Sequence, residues 1–411
     1  MSARFLVATV APYAFGYYVS YLLRTVNAVI APELVSELGL RPSDLGFLTS
    51  TYFLAFVCAQ IPVGVALDRL GPRRVVGGLL LLGAVGTLAF SAGQSFAHLA
   101  VARGLAGLGV SACLMGGVRA FALAFPPARQ ASLTGIIMSA GALGALTASS
   151  PLERVLPILG WRGALGGVAL ACAAAGLAVL LCVPRGADPK PAKRGDADPG
   201  RTGGFSFLSR RGFWLLGPQA FFFTGGYMAI QGLWVIPFSL TVEGASPAGA
   251  ARTLLTLNLG MLVGQLGVGL GATRLGSTGL GRKTLMTSGL AIALAVEATI
   301  VAGLWSGPLP WFLVGLATAT NTQIFGVAAD RFPAAVAGRV ITALNLLVFA
   351  GAFALQWGLG LALAALEPHL AAPAAFRASF AVLWGLKAVA VALGAVGPPR
   401  GYGSTASDAE A

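Results

Sequence analysis

Charge is scarce in this sequence. Only 10% of its 411 residues are Asp, Glu, Lys or Arg, against about 25% in a soluble globular chain. Histidine occurs twice, as His98 and His369, and the acids number 14 against 27 Lys and Arg. A soluble domain is excluded by the first shortage, and an enzyme finds no support in the second. There is no nucleophile–base set, no metal-spaced His or Cys cluster and no phosphate-cradling glycine loop. The four cysteines, Cys58, Cys113, Cys172 and Cys182, all fall inside apolar runs, so they read as small packing residues rather than disulfides or metal ligands. No cofactor and no metal is expected.

What is present is apolar length. Hydrophobic residues make up 56% of the chain and the mean hydropathy is +0.82. Repeated runs are long enough to cross a bilayer. They predict an all-α polytopic membrane protein with twelve transmembrane helices in two pseudo-symmetric six-helix bundles. The first six spans are expected at about Ala8–Pro32, Asp44–Leu67, Val75–Ala92, His98–Phe125, Ser132–Leu156 and Arg162–Val183. The second six are expected at about Phe213–Leu240, Ala251–Ala272, Thr284–Trp305, Pro308–Ala329, Arg339–Ala364 and Arg377–Val396. The domain reading is therefore an N-terminal bundle over 1–183, a basic linker over 184–211, a C-terminal bundle over 212–397 and a disordered tail over 398–411. The first span is too long for a signal peptide and is expected to be retained.

The linker holds seven Lys or Arg, three Asp and four Pro. It is part of a wider asymmetry. Eighteen of the 27 basic residues fall in connections of one parity, five in those of the other, and four (Arg24, Arg103, Arg119 and Lys387) inside spans. This bias predicts that both termini lie in the cytoplasm of a cell whose inner membrane holds the protein. It also accounts for the net charge of +13 without a nucleic-acid partner.

The most informative connection is Gly64 to Arg74, GVALDRLGPRR, between spans 2 and 3. It returns in degraded form 205 positions later, where Gln60, Gly64, Arg69, Leu70 and Gly71 meet Gln265, Gly269, Arg274, Leu275 and Gly276, and Asp68 meets Thr273. Two halves of one transporter would give such a repeat. GVALDRLGPRR resembles the loop 2–3 signature of the major facilitator superfamily, and Arg103-Gly-Leu-Ala-Gly107-Leu-Gly109 resembles its helix 4 signature. The resemblance spans nearly the whole chain. It implies a conformational latch made of Gly64, Asp68, Arg69, Gly71, Arg73 and Arg74, in which Asp68 caps a half-helix or pairs across the halves. It leaves Arg103, Gly107 and Gly109 as structural or gating residues. The plain alternative for GVALDRLGPRR is a positive-inside topology anchor.

A charge inside a span is a site hypothesis by default. At 100° per residue, Tyr13, Tyr17, Ser20, Arg24 and Asn27 share one face of span 1, the polar–aromatic stripe that a cavity wall needs. Arg119 lies in span 4. Each arginine either faces a central cavity or snorkels to the headgroups. Weaker stripes place Tyr227 in span 7, Asn321 in span 10, and Asn345 and Gln356 in span 11 among the candidates for substrate contact, with interhelical hydrogen bonding as the alternative. Glu297 and Glu153 are the candidates for a coupling acid.

Arginines without acids imply an electropositive cavity and an anionic substrate held through carboxylate or phosphate. YLLRTVNAVIAPELVSELGLRPSDLGF resembles helix 1 and the next loop of the organophosphate:phosphate antiporters and the anion:cation symporters. That resemblance implies a substrate arginine at Arg24 and, for the symporters, another at Arg119. The acid those symporters carry beside the first arginine is Leu23 here. The expected function is secondary transport of a small organic anion by alternating access, coupled to a proton or a counter-anion, by a monomer in the bilayer. The alternatives are a proton-coupled exporter of drugs or metabolites and a non-transporting receptor of the same fold.

Overall fold

The computed structural model describes residues 3–184, 206–275 and 281–396. Among these residues the chain forms twelve helical rods and no strand. The first six are α1 (Ala3–Leu38), α2 (Pro42–Leu70), α3 (Pro72–Ser91), α4 (Phe96–Ala124), α5 (Pro127–Thr147) and α6 (Ser150–Cys182). The last six are α7 (Arg211–Thr241), α8 (Pro247–Leu275), α9 (Arg282–Val301), α10 (Pro308–Arg331), α11 (Ala334–Leu366) and α12 (Ala372–Val396). Ten of them are long and apolar enough to cross a membrane on those grounds alone, and α5 carries a shorter apolar stretch, Ser132–Thr147. The tail from 398, Gly276 of the second motif copy and all but the ends of the 184–211 linker lie outside the described residues.

The connections are short because Gly and Pro end one helix and start the next. Gly71 is the whole link between α2 and α3: it takes φ +81°, which a side chain would strain, and Pro72 opens the next helix. Most of GVALDRLGPRR is therefore helix. One boundary moves further than the rest. The fifth span, expected to reach Leu156, stops at Thr147, and Pro151 then starts α6, which kinks at Gly160 where φ is +64°. Glu153 therefore belongs to the first turn of α6. Helix α1 runs through Pro32 to Leu38, past its expected end.

Odd-numbered rods leave the side where α1 starts and α12 ends, here called the near side, and even-numbered rods return to it. On the far side one apolar cluster joins both sets of six: Ile30, Leu34 and Leu48 pack in it with Trp234, Phe238 and Leu363. Backbones touch directly there. A Cβ on Gly360 would lie 2.4 Å from the Pro42 carbonyl oxygen, and one on Gly46 would lie 3.0 Å from that of Gln356. Toward the near side the core divides. One cluster gathers α1–α6 with Phe349 and Ala352, and another is built from α7 and α9–α12 with Phe207. The molecule is sealed at one end and parted at the other.

Candidate functional site

Between the two sets of helices lies a cavity with about 1160 Å³ of atom-free space, part of it open solvent. Tyr17, Tyr21 and Arg24 of α1 face Tyr227 of α7 and Asn345 and Phe349 of α11 across it. Among the described residues Arg24 is the only charged one in its lining. The Arg24 residue is 3% exposed, and its guanidinium carbon lies 4.2 Å from the centre of the Tyr21 ring, 5.6 Å from Phe349 and 5.9 Å from Phe56. Those are cation–π distances. Among the described residues no carboxylate pairs with it, and its Nε has no partner. A buried guanidinium that touches rings and the Tyr52 side chain, with no carboxylate on it among the described residues, still has planar donors to offer an anion.

The remaining lining is soft or neutral. Four of the six methionines, Met115, Met138, Met228 and Met261, line the cavity, and such thioethers adapt to irregular ligands. The neutral polar groups include a pair related by the internal repeat: Gln60 of α2 and its mate Gln265 of α8 both line the wall. Gln231 donates to Asn258, which donates at 3.3 Å to the Ala145 carbonyl, so α7, α8 and α5 are tied across the cavity. The backbone of α7 is underwound from α to π at Gln219–Thr224 and Ile230–Trp234, on both sides of Tyr227. Such bulges are frequent at functional sites.

Of the expected site residues, Tyr17, Arg24, Tyr227 and Asn345 come together here. The others do not. Arg119 sits on the near side and pairs with Asp68 at 2.7 Å, with both side chains well exposed. It comes one helical turn after Met115, which lines the cavity, so it stands roughly 6 Å further along α4 toward the near side. Asp68 thus pairs within the first six helices. Tyr13 shares the face of Tyr17 but is covered by α4, its ring edge-on to Phe121 at 6.1 Å. Asn27 donates to Thr49 of α2 at 3.3 Å. The Asn321 amide accepts from Gln219 at 2.9 Å and donates to Thr224, so it fastens α10 to α7. Gln356 is fully buried beyond the cavity's far end. Glu297 forms a buried ion pair with Lys387 of α12. Glu153 lies at the far end of α6, away from the cavity.

In the signature segments, Arg73 donates to the Leu180 carbonyl and ties α3 to α6. Gly64 faces open space, and Arg69 and Arg74 are exposed. Arg103 is buried with its guanidinium carbon 4.9 Å from the centre of the Tyr52 ring. The helix 4 glycines make contact packing: a Cβ on Gly107 would lie 2.4 Å from the Tyr52 carbonyl oxygen, and one on Gly109 would lie 2.2 Å from Gly83. Tyr21, Phe56 and Gln231 are cavity residues that the stripes did not single out. Tyr21 could have been found, since Tyr17, Tyr21 and Arg24 stand at i, i+4 and i+7.

A sealed far side, a parted near side and a cavity between two six-helix sets form a scaffold of the kind membrane transporters use. The Major Facilitator Superfamily profile matches residues 13–356. The chain belongs to that superfamily, and so to a class of transporters rather than enzymes. It is 31% identical over 157 residues, 38% of this chain and 36% of that protein, to a probable sulfoacetate transporter of Cupriavidus necator. It is 26% identical over 230 residues to a nitrate/nitrite transporter of a Picosynechococcus species, covering 49% of this chain and 42% of that one. It is 27% identical over 147 residues to a hexuronate transporter of Escherichia coli, covering 36% and 34%. The matches therefore span less than half the length of these relatives. Among solved structures, a bacterial homologue of the human lysosomal transporter Spinster, inward-facing and occupied, superposes with a TM-score of 0.72 at 18% identity over 96% of this chain and 97% of that one. A D-xylose–proton symporter superposes with a TM-score of 0.74 at 13% identity over 94% and 97%. At these identities the likeness is one of fold.

Proposed function

We propose that the protein is a secondary transporter of a small organic anion, and that Arg24 is the group that holds the cargo. The observation that carries this reading is the buried, acid-free guanidinium, the one charge among the described residues that line the cavity. A buried cation is costly until a counter-charge arrives, so the cavity favours an anion over neutral or cationic solutes. Tyr17, Tyr227 and Asn345 supply neutral polar groups for the rest of the cargo, and the methionines and rings tolerate its carbon skeleton. The relatives named for sulfoacetate, hexuronate and nitrate support an anionic cargo. Both termini face the cytoplasm of an inner membrane, on the strength of eighteen basic residues in connections of one parity against five in the other. The near side is then the cytoplasmic side and the present state faces inward. Transport proceeds as the two six-helix sets rock about Arg24.

The test is equilibrium binding of sulfoacetate, D-glucuronate and nitrate to purified wild type, Arg24→Ala and Arg24→Lys. Loss of the guanidinium removes a charge-assisted contact, about 1.5–3 kcal/mol or roughly 10- to 100-fold in affinity. Lysine keeps the charge but not the planar fork, so it restores binding only in part. Equal affinities in all three proteins, or tighter binding of a neutral or cationic ligand, would sink the reading.

A further inference from the structure

Gln356 is fully buried, yet neither its Oε1 nor its Nε2 has a partner. Its main chain is pinned: the Trp234 indole donates to the Gln356 carbonyl at 2.8 Å. Its tip lies in a recess that exists because residue 232 of α7 is glycine. A Cβ there would lie 3.2 Å from Gln356 Nε2 and 3.6 Å from the Arg24 carbonyl oxygen. An enclosed amide with no partner is one of the more destabilising features a core can hold. Leucine would fit the same shape without that penalty, so the amide serves a state other than this one.

The seam around it says which state. Gln356 lies where α2 and α11 meet: Gly46 packs on its carbonyl, and one turn on Gly360 packs on Pro42. These contacts must separate when the far side opens. Separation wets the amide and places it beside Arg24 on the path from the far mouth. An amide there donates to a carboxylate or sulfonate and accepts from a hydroxyl. We propose that Gln356 is a cargo-binding residue of the far-side-open state, masked in the state seen here. This rests on the reading of Arg24 as the anion site.

The experiment uses full-length protein in proteoliposomes with Cys58, Cys113, Cys172 and Cys182 replaced by Ala and Gln356→Cys introduced. A membrane-impermeant thiol reagent is applied from the far side. Gly360→Val, which collides with Pro42, props the seam, and Gly46→Ala is a milder prop if that variant fails to fold. Labelling is expected to rise about tenfold with a prop and to be slowed by whichever of sulfoacetate, D-glucuronate or nitrate binds in an Arg24-dependent way. Without the thiol, Gln356→Leu in the propped background should weaken that anion about tenfold while leaving affinity in the sealed state unchanged. A propped protein whose Gln356→Cys stays unreactive overturns the proposal. So does labelling that a bound, Arg24-dependent anion leaves untouched. If none of the three anions binds, the reading of Arg24 fails separately, and labelling in the propped protein still decides whether Gln356 is uncovered.

Discussion

The first and last six helices each bury a cation, and they treat it in opposite ways. In the last six, Lys387 meets Glu297 inside the core and lies 4.6 Å from the centre of the Phe223 ring. That charge is cancelled by the protein itself, away from the cavity. In the first six, Arg24 and Arg103 are buried among rings, and among the described residues neither pairs with a carboxylate. Of these, only Arg24 reaches the cavity. A pair that is complete has no use for a ligand, whereas a cation that is incomplete has affinity to offer. The two sets are related by an internal repeat, yet the charge that recruits cargo comes from one of them, and the other contributes neutral polar groups such as Tyr227, Asn345 and Gln265.

Breaking the completed pair should have the largest effect. Lys387→Ala leaves a buried carboxylate unpaired, and Glu297→Ala leaves a buried ammonium unpaired. Either change is expected to destabilise the protein by about 3–5 kcal/mol, seen as a lower unfolding midpoint in detergent. The double change of both residues to Leu should recover most of the loss, because no charge is then stranded. If the single variants unfold like wild type, the pair is not what completes Lys387, and the contrast with Arg24 collapses.

The converse experiment completes the incomplete cation. Phe349 lies 5.6 Å from the Arg24 guanidinium carbon, so Phe349→Glu brings a carboxylate within reach. Anion affinity should fall by roughly 100-fold, at least as far as in Arg24→Ala, since the new acid occupies the donors the cargo needs. Phe349→Gln, of similar shape but neutral, should bind far better than the Glu variant. Near-equal binding by the two would mean that charge is not what the cavity reads.

The helical architecture was legible because apolar length and Gly–Pro punctuation are local properties of the chain. The repeat was legible too, and its mates Gln60 and Gln265 both line the cavity. The site was legible where one helix decides it: Tyr17 and Arg24 share a face of α1. It failed where a second helix decides. Nothing in the sequence around Tyr13 says that Phe121 covers it, and the amide of Asn321 looks free until α7 presents Gln219 and Thr224. Lys387 and Glu297 are 90 positions apart, so no window contains both. The π-helical turns of α7 leave no local mark, because they arise from packing rather than propensity.

Arg119 tests the comparison at its weakest point, since the resemblance to the anion:cation symporters implies a substrate arginine there as well as at Arg24. Its side chain is 42% exposed and that of Asp68 is 63% exposed. An exposed pair of this kind contributes about 0–1 kcal/mol and is screened by salt. Arg119→Ala and Asp68→Asn should therefore unfold close to wild type and bind the anion within about twofold of it. Their effect belongs to the rate. If Asp68 finds a different partner once the near side closes, Asp68→Asn removes that contact and slows exchange while equilibrium binding holds. Stopped-flow exchange beside equilibrium binding separates the two. Should Arg119→Ala weaken binding as much as Arg24→Ala, the cargo is held by two arginines, and the single-charge cavity is the wrong description of this site.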